Sequence, residues 1–201
     1  MKKAFLISGF KMNIASNDDM YADLRAAIAS TGYEVVPVPL IWNRITVPQY
    51  CPKFIEFYNQ HKGEHNMVIG NSYGAMVAFL TAATLEPDLV VVCSLSPYFK
   101  EDLNKTTEEY RIKRFGKRRS DAQRYLSATE TAKEINAKNI PVVLMYGEQE
   151  KTVYPHLVKR VKETAAELEK YKLIEVADAP HSFRSPLYIA AIRQALLQLE
   201  P

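Results

Sequence analysis

Met67-Val68-Ile69-Gly70-Asn71-Ser72-Tyr73-Gly74, running on into the apolar stretch Ala75 to Ala83, decides how this chain is read. Met67 to Ile69 has the character of a strand. Ala75 to Ala83 is apolar nearly all round, the mark of a helix buried in the middle of a molecule. Between them lies Gly-x-Ser-x-Gly. In a strand–turn–helix context that turn is strained, its glycines let neighbouring backbone pass close, and the Ser72 hydroxyl faces the cleft. The helix N-terminus behind it supplies partial positive charge and N–H groups suited to a developing oxyanion. The plainer alternative makes Ser72 an N-cap serine after a strand.

Working outward, short apolar or β-branched runs alternate with segments of helical period. The strand candidates are Ala4–Ser8, Tyr33–Val38, Met67–Gly70, Leu89–Ser94, Val142–Tyr146 and Lys172–Val176. They are near-continuous hydrophobic runs, as expected of strands covered on both faces. Helical segments fall at Met20–Ser30, Pro48–Gln60, Pro155–Leu168 and Pro186–Leu199, the third opening on a proline suited to a first turn. This alternation predicts an α/β fold, a three-layer α/β/α sandwich around a mainly parallel six-stranded sheet. Residues 97–130 break the rhythm. They are polar, carry no strand signal and are too long for an ordinary connection, so they read as a helical excursion or a lid. Thr106 is a candidate N-cap within them and Gly116 a breaker.

The 201 residues, 47% apolar and 24% charged, fit one globular domain spanning 1–201. Cys51 and Cys93 have no metal-ligand spacing, and Cys93 lies in the apolar run Val90 to Cys93, so a cytoplasmic setting is expected. Met1-Lys2-Lys3 begins like a secretory signal, but its apolar stretch stops at Lys11 with no small-residue cleavage site following, and a first strand explains it better. No stretch approaches the roughly 20 apolar residues of a membrane span. The net charge of +3 is uneven: Pro97 to Ser127 carries +4 and the remainder −1.

Ligands of open parallel sheets bind beyond the carboxyl ends of the strands. Gly9, Gly70, Gly74 and Gly147 fall at such ends, which points to tight turns along one edge. A serine hydroxyl needs a base. His61 and His65 precede a strand, at the wrong edge, and His156 opens a helix. His181, in Ala179-Pro180-His181-Ser182-Phe183, alone follows a strand. The imidazole needs a carboxylate to fix its tautomer. After Val142 to Tyr146, in Gly147-Glu148-Gln149-Glu150-Lys151-Thr152-Val153, two glutamates qualify, Glu150 first and Glu148 second. Asp178 is assigned to shaping the His181 loop.

The chain order Ser72, Glu150, His181, each after a strand, together with the Gly70–Gly74 turn, resembles the α/β-hydrolase superfamily from the first strand to the last helix. The family's acid commonly appears as Gly-x-x-Asp-x-x-Val, matched here by Gly147, Glu150 and Val153, which favours Glu150. Its Gly-His-x-Phe is matched by Pro180-His181-Ser182-Phe183. The resemblance implies an oxyanion hole of two backbone N–H groups, from Tyr73 and from Phe10 in Ser8-Gly9-Phe10-Lys11. It also implies a reduced α/β-hydrolase fold with sheet order 2-1-3-4-5-6 and a short lid insertion at 97–130.

The expected activity is that of a carboxylesterase-like serine hydrolase acting through an acyl-serine intermediate, on a small-molecule acyl substrate, with no metal or organic cofactor. Thioesterase, amidase or acyltransferase chemistry on the same residues, and a non-catalytic binding protein, are the alternatives. Lys11, Trp42, Tyr98 and Phe99 are candidate substrate contacts; Trp42 reads equally as packing under a loop. Arg111 to Arg119 holds six basic residues in nine. A solvated lid face, a lid attracting an anionic substrate, and an acidic-partner or nucleic-acid patch compete for it. Apart from Phe115 the last lacks stacking aromatics.

Overall fold

The computed structural model describes residues 1–9, 21–42, 45–104, 108–109, 112–113 and 116–198. Alternate residues of its central strands feed two separate cores. Phe5, Ile7, Val68, Val90, Val92, Val142 and Leu144 point to one side, and Ala4, Leu6, Met67, Ile69, Val91, Cys93, Val143 and Met145 to the other. Side chains of successive strand residues face opposite ways, so a run apolar at every position must be covered on both faces.

The strands are β1 (Lys2–Ile7), β2 (Glu34–Pro37), β3 (His65–Asn71), β4 (Leu89–Cys93), β5 (Val142–Gly147) and β6 (Tyr171–Val176). They form one sheet in the order β2-β1-β3-β4-β5-β6, every pair parallel. The helices among the described residues include, in chain order, α1 (Ala22–Ala29), α2 (Val47–His61), α3 (Tyr73–Leu85), α4 (Lys117–Gln123), α5 (Ala128–Ala137), α6 (Glu150–Val153), α7 (Pro155–Glu167) and α8 (Pro186–Leu197). α1 and α8 cover the second core, through Leu24, Ile28, Tyr188 and Ile192. α2, α3, α5 and α7 cover the first, through Phe54, Phe79, Ile135 and Val161. The three-layer sandwich and the expected sheet order are both present.

Two strands depart from the reading of uniformly covered runs. β6 alternates between exposed and half-buried residues before the buried Val176, and β2 is nowhere fully buried. Both lie at the sheet edges, where one side of the strand lacks a neighbour. The segment 97–130 contains a 3-10 turn at Lys100–Asp102, then α4, then the start of α5. Thr106 lies outside the described residues, and Gly116, with φ of 84°, caps the start of α4. Asp102 accepts from Nε and Nη2 of the buried Arg160 at 2.9 and 2.7 Å and from the Phe99 N–H at 3.1 Å, pinning the start of this excursion to α7. Among the described residues, no helix is long and apolar enough to cross a membrane.

Candidate active site

Parallel pairing throughout puts the carboxyl ends of all strands along one edge, and the polar residues singled out from the sequence collect there. Ser72 directly follows β3. Its backbone sits at φ 55°, ψ −111°, a conformation that costs a non-glycine residue of order 1–3 kcal/mol. Steric contact and hydrogen bonding hold it there. A Cβ on Gly70 would strike the Gly74 carbonyl, and one on Gly74 would strike the carbonyls of Ile7 and Ser8, so the turn is wedged between β1 and α3 with room for hydrogen alone. The Ser72 N–H donates to the Cys93 carbonyl at 2.9 Å, tying the turn to β4.

The N-cap alternative does not describe this serine. Ser72 occupies the position before α3, but its hydroxyl makes no bond to the helix's N–H groups. It meets the hydroxyl of Ser96 at 3.1 Å instead. No hydrogen bond joins Ser72 to His181 among the described residues. The loop after β1 reaches the same place: a Cβ on Gly9 would lie 3.3 Å from that of Ser72. Phe10 and Lys11, the next two candidates, lie outside the described residues.

His181 and Glu150 are brought together. Nδ1 of His181 lies 2.5 Å from Oε1 of Glu150. The carboxylate has no solvent exposure, whereas the imidazole is one-quarter exposed. Oε1 also accepts from the Ser94 hydroxyl at 2.6 Å, and Oε2 accepts from the Gly147 N–H at 3.0 Å. A buried carboxylate is tolerated when donors surround it, and this one has three. Since Nδ1 faces a carboxylate it carries the proton, which leaves Nε2 as the acceptor. The Tyr154 ring lies 5.0 Å from the imidazole, centroid to centroid.

Glu148, the second glutamate, turns elsewhere. Its Oε2 accepts from the Asp178 N–H at 3.0 Å, so it braces the loop that carries His181. Gln149 adds two further ties, N–H to the Ala179 carbonyl at 3.1 Å and side-chain amide to the Asp178 carbonyl at 2.9 Å. A side chain at Gly147 would collide with the Ala179 carbonyl, so the two loops touch along their backbones.

Of the expected substrate contacts, Phe99 is placed differently. It has no exposed surface, belongs to the first core and packs edge-on against Phe79 of α3, 6.2 Å between centroids. Tyr98 is half-buried with its ring 5.3 Å from that of Tyr73. Trp42 takes the packing alternative: it is 8% exposed, donates Nε1–H to the Ser8 carbonyl at 3.2 Å, and lies against Tyr50 and Tyr73. Beyond that aromatic wall, Val38, Leu40, Ile45, Tyr50 and Phe57 line an open cavity of about 350 Å³. Gln123 of α4 donates its side-chain amide to the Tyr73 hydroxyl at 3.2 Å. In the basic segment, Lys113, Lys117 and Arg118 are exposed and Lys117 pairs with Asp121; Arg111, Arg114 and Phe115 lie outside the described residues.

Ser94, Ser96, Tyr154 and Tyr188 were not singled out from sequence. Ser94 and Ser96 follow β4, so the strand-end criterion that found Ser72, Glu150 and His181 reaches them too. Tyr188 carries no such signal.

No family model matches the chain, and no curated protein sequence matches it. Solved structures do. Est1E from Butyrivibrio proteoclasticus, one structure of which has ferulic acid bound, superposes with a TM-score of 0.75 at 12% identity, covering 98% of this chain and 86% of that one. A structure from work on carboxylesterases of Nitrososphaera gargenis gives 0.71 at 15%, covering 98% and 90%. The thioesterase domain of the curacin biosynthetic pathway gives 0.65 at 13%, covering 98% and 91%. Strand order, all-parallel pairing and these likenesses agree: the chain has the α/β-hydrolase fold.

Proposed function

We propose that this protein is a serine hydrolase that cleaves carboxylic esters through an acyl-Ser72 intermediate, with His181 as general base and Glu150 as the acid behind it. The observation that carries the reading is the buried Glu150–His181 hydrogen bond at the strand edge that also presents a strained, half-buried serine. The Ser72 Oγ attacks the acyl carbon and its proton passes to Nε2 of His181. The Nδ1–H faces Glu150, which holds the tautomer and stabilises the imidazolium. The tetrahedral oxyanion is held by the Tyr73 N–H in the first turn of α3 and by the Phe10 N–H. The carbon–oxygen bond to the leaving alcohol breaks as His181 returns the proton to that alcohol. Water then attacks the acyl-serine, loses a proton to His181, and Ser72 leaves reprotonated.

Before attack the Ser72 hydroxyl must turn from Ser96 to His181. Catalytic hydrogen bonds are often loose before substrate binds. Esterase and thioesterase neighbours of the same fold support acyl transfer to water and leave ester and thioester substrates equally open. The Gln123–Tyr73 contact supports reading 97–130 as a lid within one domain. The basic residues of that segment favour an anionic acyl substrate, and activity that falls with added salt is the result expected of it. The protein is taken to work in the cytoplasm, in keeping with its two free cysteines.

A non-catalytic binding protein is the competing reading, and the Ser72–Ser96 hydrogen bond is what favours it. Turnover of small p-nitrophenyl esters by the native protein, abolished in a folded Ser72→Ala variant, is expected of the enzyme. Activity retained in that variant removes Ser72 from the mechanism.

A further inference from the structure

Behind the Glu150–His181 pair the polar chain continues into the core. The Ser94 hydroxyl, which donates to Oε1 of Glu150 at 2.6 Å, lies 2.8 Å from the hydroxyl of Tyr188. Ser94, Glu150 and Tyr188 are all at 0% exposure. Three oxygens thus meet beside the apolar core that holds Tyr188 together with Val91, Cys93, Val143 and Met145, and they come from three elements: the end of β4, the start of α6 and the first turn of α8. As a carboxylate Glu150 only accepts, so the single Ser94 proton is committed to it and Ser94 must accept from the Tyr188 O–H. The chain then has one direction: Tyr188 to Ser94 to Glu150, with His181 donating from the other side. Ser94 is itself held at φ 53°, a left-handed conformation unfavourable to serine, with its N–H on the Met145 carbonyl at 2.7 Å.

We infer that Ser94 and Tyr188 are positioning residues for the Glu150–His181 pair, a buried hydroxyl relay that fixes the carboxylate against its histidine. The inference rests on the serine-hydrolase reading of the site. A glutamate has one more rotatable bond than an aspartate. Bonded only to the Gly147 N–H, it would be free to swing Oε1 away from Nδ1; the Ser94 hydroxyl closes that freedom, and Tyr188 stops the Ser94 hydroxyl from rotating. Hydrogen bonds in such buried chains polarise one another, so the outermost donor is felt at the far end. The other titratable groups facing the relay do not compete with it. Burial pushes the Cys93 thiol well up, and the Glu150 charge adds to that, so Cys93 stays neutral. Burial likewise raises Tyr188, with Cys93 and Glu150 adding, which keeps its phenol proton available to donate. The Tyr154 ring lies against the imidazole, 5.0 Å between centroids.

The test uses two variants and two readouts. Ser94→Gly deletes the hydroxyl while tolerating the positive φ, and Tyr188→Phe deletes one oxygen and keeps the ring that packs near Phe183. Ester hydrolysis should fall in kcat by about tenfold or more in Ser94→Gly and about threefold in Tyr188→Phe, with KM unchanged, since hydrogen bonds to charged groups outweigh neutral ones. In parallel, the downfield proton resonance of the His181 Nδ1–H should move, or be lost to solvent exchange, in both variants. That signal does not depend on activity, so it distinguishes failure of the relay from failure of the hydrolase reading. If both folded variants keep the native kcat and the native His181 resonance, with only thermal stability lowered, the hydroxyls merely pin α8 to the sheet and the inference falls.

Discussion

The two halves of this site are held by different physics. On one side, Glu150 and His181 sit in a closed set of hydrogen bonds: the carboxylate takes three donors, has no solvent contact, and its neighbours Ser94 and Tyr188 are equally buried. On the other, Ser72 is held by its backbone. A strained φ, the Gly70 and Gly74 close contacts and a bond to Cys93 fix where its Cβ is, while among the described residues its hydroxyl meets only Ser96, at 3.1 Å. The contrast suits the work each half must do. In the proposed mechanism the acid–base half keeps a buried charge and one tautomer through the cycle. In that mechanism the serine oxygen exchanges partners at each step, from Ser96 to base to acyl carbon, which suits a residue placed by its backbone with a side chain free to turn.

Breaking the hydrogen-bonded half should cost most. Glu150→Gln keeps the shape but presents an amide to Nδ1, and kcat should fall by roughly 10³- to 10⁴-fold, measured with a p-nitrophenyl ester. A fall below tenfold would mean that the carboxylate only fills space. Gly74→Ala attacks the other half by sterics alone. A methyl there must displace β1 or the elbow, and a shift near 1 Å in a reacting atom costs about 10²-fold. The His181 Nδ1–H resonance should stay native in that variant, which separates a displaced serine from a damaged base. Glu148→Ala sharpens the distinction between the two glutamates. It removes the Asp178 N–H acceptor on an exposed loop, and about tenfold or less should be lost. Ser96→Ala frees the serine hydroxyl from its resting partner and should change kcat/KM by no more than about threefold. A loss approaching that of Glu150→Gln would place Ser96 in the proton path and overturn the division drawn above.

How far the site could be read in advance follows the same divide. The central strands declared themselves within a residue or two because burial on both faces forces an unbroken apolar run such as Leu89–Cys93. β6 carries the weaker pattern of an edge strand, with Lys172 and Glu175 interleaved, and its exposure differs from the uniform coverage expected. α5 escaped notice because its buried face consists of Ala128, Thr131, Ala132 and Ile135, too small and too polar to make a clear stripe. Ser72, His181 and Glu150 could be proposed because hydrolase chemistry asks for those residue types after strands, and the structure brings Glu150 and His181 together and puts Ser72 at a strained turn. Sheet order and the preference for Glu150 over Glu148 needed the family resemblance as well. Ser94 is marked only by its place after β4 and Tyr188 by nothing, and their pairing was not legible: they lie 94 residues apart, and only packing α8 against the end of β4 makes them neighbours. Phe10 and Lys11 lie outside the described residues, so the proposed second oxyanion donor rests on the resemblance.

The central claim is that the hydroxyl at position 72 becomes a nucleophile when the imidazole at position 181 takes its proton. Treating the folded native protein with a fluorophosphonate and mapping the adduct by peptide mass spectrometry tests it directly. One covalent phosphonate on the peptide containing Ser72, strongly reduced in His181→Ala, is the expected result. No adduct, or labelling at Ser72 that proceeds equally well without His181, would contradict the account.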